Sequence, residues 1–201
     1  DYGMGNLYSI KNALTKLCDF VVDISSEKNY INNADGIIIP GVGAFKKAMQ
    51  NLEDLKIIDI LNKQVLIKKK PVLSICLGMQ LLFDNSSEGG YQDGLGWIPG
   101  NVKYISTSED LRIPHVGWNN IIFENQSKLF NNLGKEKSFY FVHSYEVKCN
   151  KKFITASVDY GENIVAAVEK ENIFGVQFHP EKSHENGFCL LKNFIKYINN
   201  A

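Results

Sequence analysis

Several residue types are scarce in this sequence, and each scarcity excludes something. There are four cysteines, Cys18, Cys76, Cys149 and Cys189, and they lie far apart. That spacing is no disulfide framework and holds no paired zinc ligands, so a reducing, cytoplasmic setting is expected. Net charge is also missing, because 22 Lys and Arg balance 22 Asp and Glu. A chain without excess positive charge gives no electrostatic reason to expect nucleic acid or an anionic membrane as partner. No apolar run approaches the roughly 18 to 20 residues of a spanning helix. Neither a secretory leader pattern nor an initiator Met is present, and Asp1 is followed at once by GMGN. A doubly wound domain puts a strand before such a turn, so the sequence is expected to be trimmed at its start. The GMGN stretch is also a poor dinucleotide fingerprint, since Tyr8 stands where the third glycine should fall.

What remains is ordinary for a globular domain, with 201 residues and 44% hydrophobic content. The sequence shows no repeat, low-complexity segment or long linker, which predicts a single domain over 1–201. The first half alternates helical and strand patterns. Leu7 to Leu17, Ala44 to Leu52, Ile57 to Ile67 and Met79 to Phe83 read as helices. Phe20 to Ile24, Ile37 to Ile39 and Val72 to Ile75 read as strands. That alternation implies parallel pairing, and the continuous apolar strands imply a sheet covered on both faces. The second half is richer in strands: Val102 to Ile105, Asn120 to Phe123, Ser138 to Val142, Ile154 to Val158, Ile164 to Val168 and Ile173 to Phe178. Gly161 and the Glu171–Asn172 pair supply turns, and Phe188 to Ile198 closes the chain as an amphipathic helix. The expected architecture is α/β, flavodoxin-like: a mixed, mostly parallel sheet flanked by helices, with an antiparallel extension.

The stretch PVLSICLGMQLL ends a buried strand on a thiol, Cys76, and turns sharply at Gly78. A residue at a strand-to-helix tip is pushed into the crevice where α/β sheets bind ligands. The N-terminus of the following helix favours the thiolate, the reactive form. A lone cysteine there is more often buried packing, so a base and an orienting group are needed elsewhere. GVQFHPEKS offers both. His179 follows a strand end, and Glu181, two residues on, can turn back to fix its tautomer. Both acyl-transfer steps at such a cysteine pass through an oxyanion. The Leu77 N–H, next to the nucleophile, is one expected donor. The second is expected from the Pro40-Gly41-Val42-Gly43 loop, whose glycines allow close backbone approach.

SICLGMQLL and GVQFHPEKS together resemble the class I (triad) glutamine amidotransferases. DYGMGNLYSIKNAL, PGVGAF, PHVGWN and FYFVHSYEV narrow the resemblance to the glutaminase subunits of imidazole glycerol phosphate synthases. It spans nearly the whole sequence and implies hydrolysis of L-glutamine to glutamate and ammonia, with no cofactor and no metal. By that match Cys76 is the nucleophile, His179 the acid–base and Glu181 its orienter, with Leu77 and Val42 as oxyanion donors. Gly41, Gly43, Gln80, Glu88, His143, Ser144 and Tyr145 would line the glutamine site. The family couples to a (β/α)8-barrel synthase subunit that takes the ammonia for histidine biosynthesis. Exposed Asn6, His115, Trp118, Tyr140 and Lys182 would rim that interface. One departure is visible: Ser74 stands where the elbow usually opens on glycine, which predicts slightly tighter packing.

Each of these residues also has an ordinary structural use. Gln80 fits a solvated helix, Glu88 a loop, His143 a core and Trp118 core packing. A metal site from Cys76, His143 and His179 is a weak reading, since no two share ligand spacing. Cys18 and Cys189 fit helical packing, Cys149 a polar turn, and His184 a loop beyond the triad. Three rival functions use the same residues: an amidotransferase supplying ammonia for amidino groups on surface sugars, a stand-alone γ-glutamyl hydrolase, and a non-enzymatic docking protein.

Overall fold

The computed structural model describes residues 1–17, 21–107 and 111–200. Its strands in chain order are β1 (Ile37–Ile39), β2 (Val72–Ile75), β3 (Asn85–Ser86), β4 (Gln92–Asp93), β5 (Gly100–Tyr104), β6 (His115–Phe123), β7 (Ser138–His143), β8 (Tyr145–Cys149), β9 (Ile154–Asp159), β10 (Asn163–Lys170) and β11 (Ile173–Val176). The α-helices are α1 (Leu7–Thr15), α2 (Lys28–Asn33), α3 (Phe45–Asp54), α4 (Ile58–Asn62), α5 (Leu77–Gln80) and α6 (His184–Ile198). One seven-stranded sheet runs β1-β2-β11-β10-β9-β6-β7, and a four-stranded sheet runs β4-β3-β5-β8.

The sheet is mixed, as expected, but its antiparallel part is the larger. In the seven-stranded sheet, β1, β2 and β11 are the strands that pair in parallel among the described residues. The other pairs of the large sheet are antiparallel. Parallel neighbours need long crossovers, whereas the second half of the chain has short turns between strands. The turn Glu171–Asn172 is one of these, with Glu171 at φ 56° between paired Lys170 and Ile173. Asn172 fixes the turn by donating to the carbonyls of Val65 and Lys70.

Helices cover both faces of the parallel core. On α3, Phe45, Ala48, Met49 and Leu52 recur at helical spacing and are buried against one face. The opposite face is covered by α1 and α6, whose Leu14, Leu190, Leu191 and Phe194 pack against Leu73, Ile75 and Phe174. Fully burying each such side chain contributes about 1.5 to 3 kcal/mol. Alternation along β2 therefore points Val72 and Ser74 to one layer and Leu73 and Ile75 to the other.

Some expected elements differ. Val21 to Ile24 is not a strand, since no ladder partner runs beside it among the described residues, and Phe20 and Cys18 lie outside them. The helix expected over Ile57 to Ile67 is α4 continued by a π-helical turn, Lys63–Ile67. Cys149 ends β8 rather than sitting in a turn, and His184 begins α6. The helix expected at Met79 to Phe83 is the single turn α5, four residues long. So short a helix adds little dipole at the thiol. A cleft of about 680 Å³ follows β1 between α1 and α6, and none of the expected site residues lines it.

Candidate active site

Cys76 sits between β2 and α5 with φ 55° and ψ −112°, a conformation that L-residues rarely adopt. Such a residue costs about 1 to 3 kcal/mol and persists only when its surroundings impose it. Here its N–H is tied to the Val176 carbonyl at 2.8 Å, and the next turn starts at once. Gly78 is the reason the turn closes. A Cβ there would overlap the Ile39 carbonyl oxygen. Ser74, the departure noted above, is wholly buried, and its Oγ finds no partner among the described residues. It pairs with Gly175, where a Cβ would fall 2.8 Å from Met79 Cγ. The layer beneath the elbow is indeed tight.

The structure brings the three triad candidates together. His179 follows β11, and its N–H donates to the Tyr140 carbonyl at 2.9 Å. Its Nδ1 donates to Glu181 Oε1 at 2.8 Å, and both side chains are buried. The Nε2 atom faces the Cys76 sulfur closely enough for the sulfur to raise the imidazole pKa, without the alignment of a fully formed hydrogen bond. Catalytic contacts often tighten only when substrate binds. Burial lowers the imidazole pKa, but the sulfur and the carboxylate outweigh it and raise it to about 9. His179 therefore keeps its proton at neutral pH, lodged between the sulfur and the carboxylate that favour it.

The expected oxyanion donors are not both free. The Leu77 N–H donates to the Gly41 carbonyl oxygen at 3.3 Å. In a trans peptide the next N–H points the opposite way, so the Val42 N–H faces away from Leu77. Close approach is possible only because position 41 is glycine. A Cβ there would lie 2.7 Å from Tyr2 Oη and 2.8 Å from the Gly78 nitrogen. Gly43 has φ 108°, and Tyr2 Oη donates to the Pro40 carbonyl at 2.6 Å.

Of the expected glutamine-site residues, Gln80 is buried rather than solvated. Its Nε2 donates to the Tyr145 carbonyl at 3.2 Å and to Gln177 Oε1 at 3.0 Å. Both amide hydrogens are thus committed, which leaves Gln80 Oε1 as its free group. Glu88 Oε2 accepts from the Phe45 N–H at 2.7 Å and so caps α3. Glu88 and Tyr145 both line an open cleft with Ala44, Lys46, Lys47 and Gln50. Ser144, between β7 and β8, accepts from the Ile105 N–H through its carbonyl. His143 is buried, with burial holding it down to about pKa 4, and its Nδ1 donates to the Tyr145 carbonyl at 2.8 Å.

The expected rim residues divide. Trp118 is 47% exposed, packs edge-on to Tyr140 and stacks on His184 at 4.9 Å. Lys182 reaches over the Tyr140 ring, and Asn6 caps α1. His115 is not exposed. It is 2% accessible, because residues alternate along β6 and its ring turns inward onto His143 at 3.1 Å. Val116, one place on, points outward and joins Trp118 in an apolar patch. Gln177 lies at the site without belonging to the expected set. Its signal was present, since it is a polar side chain between Val176 and Phe178, at the end of a buried strand.

The sequence matches the family model described as glutamine amidotransferase class-I over residues 1–197. It is 49% identical over 198 residues to imidazole glycerol phosphate synthase subunit HisH 2 of Vibrio vulnificus, covering 98% of this chain and 92% of that protein. It is also 49% identical over 197 residues to the subunit HisH 2 of Methanococcus maripaludis, covering 98% and 96%. A crystal structure of a glutamine amidotransferase superposes with TM-score 0.73 at 18% identity, covering 98% of this chain and 95% of that one. With the sheet order, the cysteine elbow and these matches in view, the chain belongs to the class I glutamine amidotransferase family.

Proposed function

We propose that this chain is the glutaminase subunit of an imidazole glycerol phosphate synthase, acting in histidine biosynthesis as a single amidotransferase domain of the cytoplasm. The observation that carries the reaction is Cys76, held at a strained strand tip and facing an imidazole whose far nitrogen is fixed by buried Glu181. The Cys76 thiolate attacks the side-chain amide carbon of glutamine, forming a C–S bond and an oxyanion. As that intermediate collapses, His179 gives its Nε2 proton to the leaving nitrogen, the C–N bond breaks and ammonia departs. The thioester is neutral, so the sulfur no longer raises the imidazole. Its affinity for a proton falls, and it can take one from water. The resulting attack releases glutamate and returns the electron pair to sulfur.

The Leu77–Gly41 contact supports a partner-controlled version of this cycle. Rotation of the Gly41–Val42 peptide would remove the carbonyl and supply the second donor, and the partner is the agent proposed to drive it. That partner is a (β/α)8-barrel synthase subunit, seated on the patch of Val116, Trp118, Tyr140 and Lys182 beside His179. Aromatic anchors of this kind dominate interface energetics. The test is ammonia release by the wild type and by Cys76→Ala, each with and without the synthase. The variant should release none yet still bind the partner, and the wild type should be fast only in the complex. Ammonia release by Cys76→Ala would overturn the mechanism, and equal wild-type rates alone and in complex would overturn the gating.

A further inference from the structure

Gln177 has no part in the chemistry above, yet it is wholly buried beside the nucleophile. Its Nε2 lies 3.7 Å from Cys76 Sγ, and its Oε1 lies 3.0 Å from Gln80 Nε2. The orientation of this amide follows from its surroundings. The Tyr145 carbonyl oxygen can only accept. It meets Gln80 at 3.2 Å and His143 Nδ1 at 2.8 Å, so Gln80 must turn its NH2 group there and His143 must carry its proton on Nδ1. The same Gln80 NH2 group reaches Gln177, so the Gln177 atom facing it must be oxygen. The Gln177 NH2 group is left pointing at sulfur.

The line continues in the other direction. With Nδ1 protonated, neutral His143 accepts at Nε2 from His115 Nδ1 at 3.1 Å. Burial lowers both imidazoles to about pKa 4, so both stay neutral and the tautomers hold through the physiological range. One backbone carbonyl at the β7–β8 corner thereby orients two amides and two imidazoles. A buried network in which every member is satisfied holds one geometry.

We propose that Gln177 is a further residue of the nucleophile's machinery: its side-chain N–H donates to the Cys76 sulfur, stabilises the anion and holds it in place for attack. This rests on Cys76 being the nucleophile of the glutaminase reading. An N–H aimed at sulfur favours the charged form over the neutral one. The imidazolium of His179 supplies charge, whereas Gln177 supplies a fixed direction that does not change when His179 gives up its proton. Gln80 is then a positioning residue that acts through Gln177 as well as a lining residue of the substrate site.

The experiment is iodoacetamide alkylation of the full-length protein from about pH 5 to about pH 10, followed by mass spectrometry of the peptide carrying Cys76. Wild type is compared with Gln177→Leu, which removes the donor, and Gln177→Glu, which replaces it with an acceptor. The alkylation midpoint of Gln177→Leu should move up by roughly half to one pH unit, and that of Gln177→Glu further. Gln80→Leu, which unties the Gln177 amide, should move it in the same direction by less. Should Gln177→Leu fail to give a cooperative unfolding transition, Gln177→Glu and Gln177→Met decide the matter by the same readout. A wild-type midpoint in the folded variants overturns the proposal, since a side chain that merely fills space would not move it. Glutamine turnover is measured in parallel in the presence of the synthase subunit. Absence of wild-type turnover there, with the midpoint shift intact, would sink the glutaminase reading and leave the donor standing. Normal turnover with no shift would sink only the donor.

Discussion

Replacing Glu181 with Gln removes a carboxylate 2.8 Å from His179 Nδ1 while keeping its size. In the native protein burial pushes the imidazole down, and Cys76 and Glu181 together lift it from 6.5 to about 9. A rise of that size corresponds to about 3 kcal/mol of proton linkage. The sign follows from the raised value. The folded state binds the proton more tightly than the unfolded chain, so the stabilisation is complete below about pH 6.5 and fades as pH climbs through about 9. Cys76 and Glu181 produce that rise together against the penalty of burial, so loss of the carboxylate should remove a substantial part of it, on the order of 1 to 2 kcal/mol. Urea unfolding of wild type and Glu181→Gln at several pH values measures it. The gap in unfolding free energy between the two should be widest near neutrality and narrow by that amount at alkaline pH. Taking the difference cancels titrations common to both proteins. A gap that stays constant with pH would refute the reasoning, because it would mean that Glu181 stabilises the fold without acting through the His179 proton.

Three further outcomes are expected. Gly78→Ala forces a methyl group onto the Ile39 carbonyl, so it should destabilise the chain by about 1 to 3 kcal/mol in denaturant titrations and slow glutamine turnover, because relief requires moving Cys76. Ser74→Ala deletes a buried hydroxyl without a partner, and its unfolding midpoint should match or slightly exceed the wild type. Trp118→Ala should weaken binding of the synthase subunit by about 2 kcal/mol or more in calorimetry, roughly 30-fold in Kd, with the unfolding midpoint of the isolated chain little changed, since the ring is largely outside the core.

Much of the layout was legible because it depends on local pattern. Ile37–Ile39 and Val72–Ile75 lie where their apolar runs put them, and Cys76, His179 and Glu181 are adjacent as their strand-end positions imply. The rest depends on pairing that no short window contains. Tyr145–Cys149 does not read as a strand, because Glu146 and Lys148 interrupt its apolar pattern. Its identity comes from the ladder it makes with β5. His115 was expected at the surface, and only the phase of β6 against β7 turns it inward. The Gly41 carbonyl could not be foreseen either, since the orientation of one peptide plane leaves no trace in residue type. Gln177 was readable in principle, as a lone polar residue in an apolar strand end, but its role requires knowing which atom of Gln80 faces it.

The Gly41 peptide at the expected oxyanion site is a light latch. Among the described residues one 3.3 Å bond from Leu77 holds its carbonyl in place, and that carbonyl belongs to a residue without a Cβ. Breaking one such bond costs on the order of 1 kcal/mol. A gap that small cannot shut a site completely, since each 1.4 kcal/mol is only a factor of ten in population. An unaccompanied subunit should therefore leak ammonia slowly rather than stand inert, and a few added contacts from a partner are enough to tip it open.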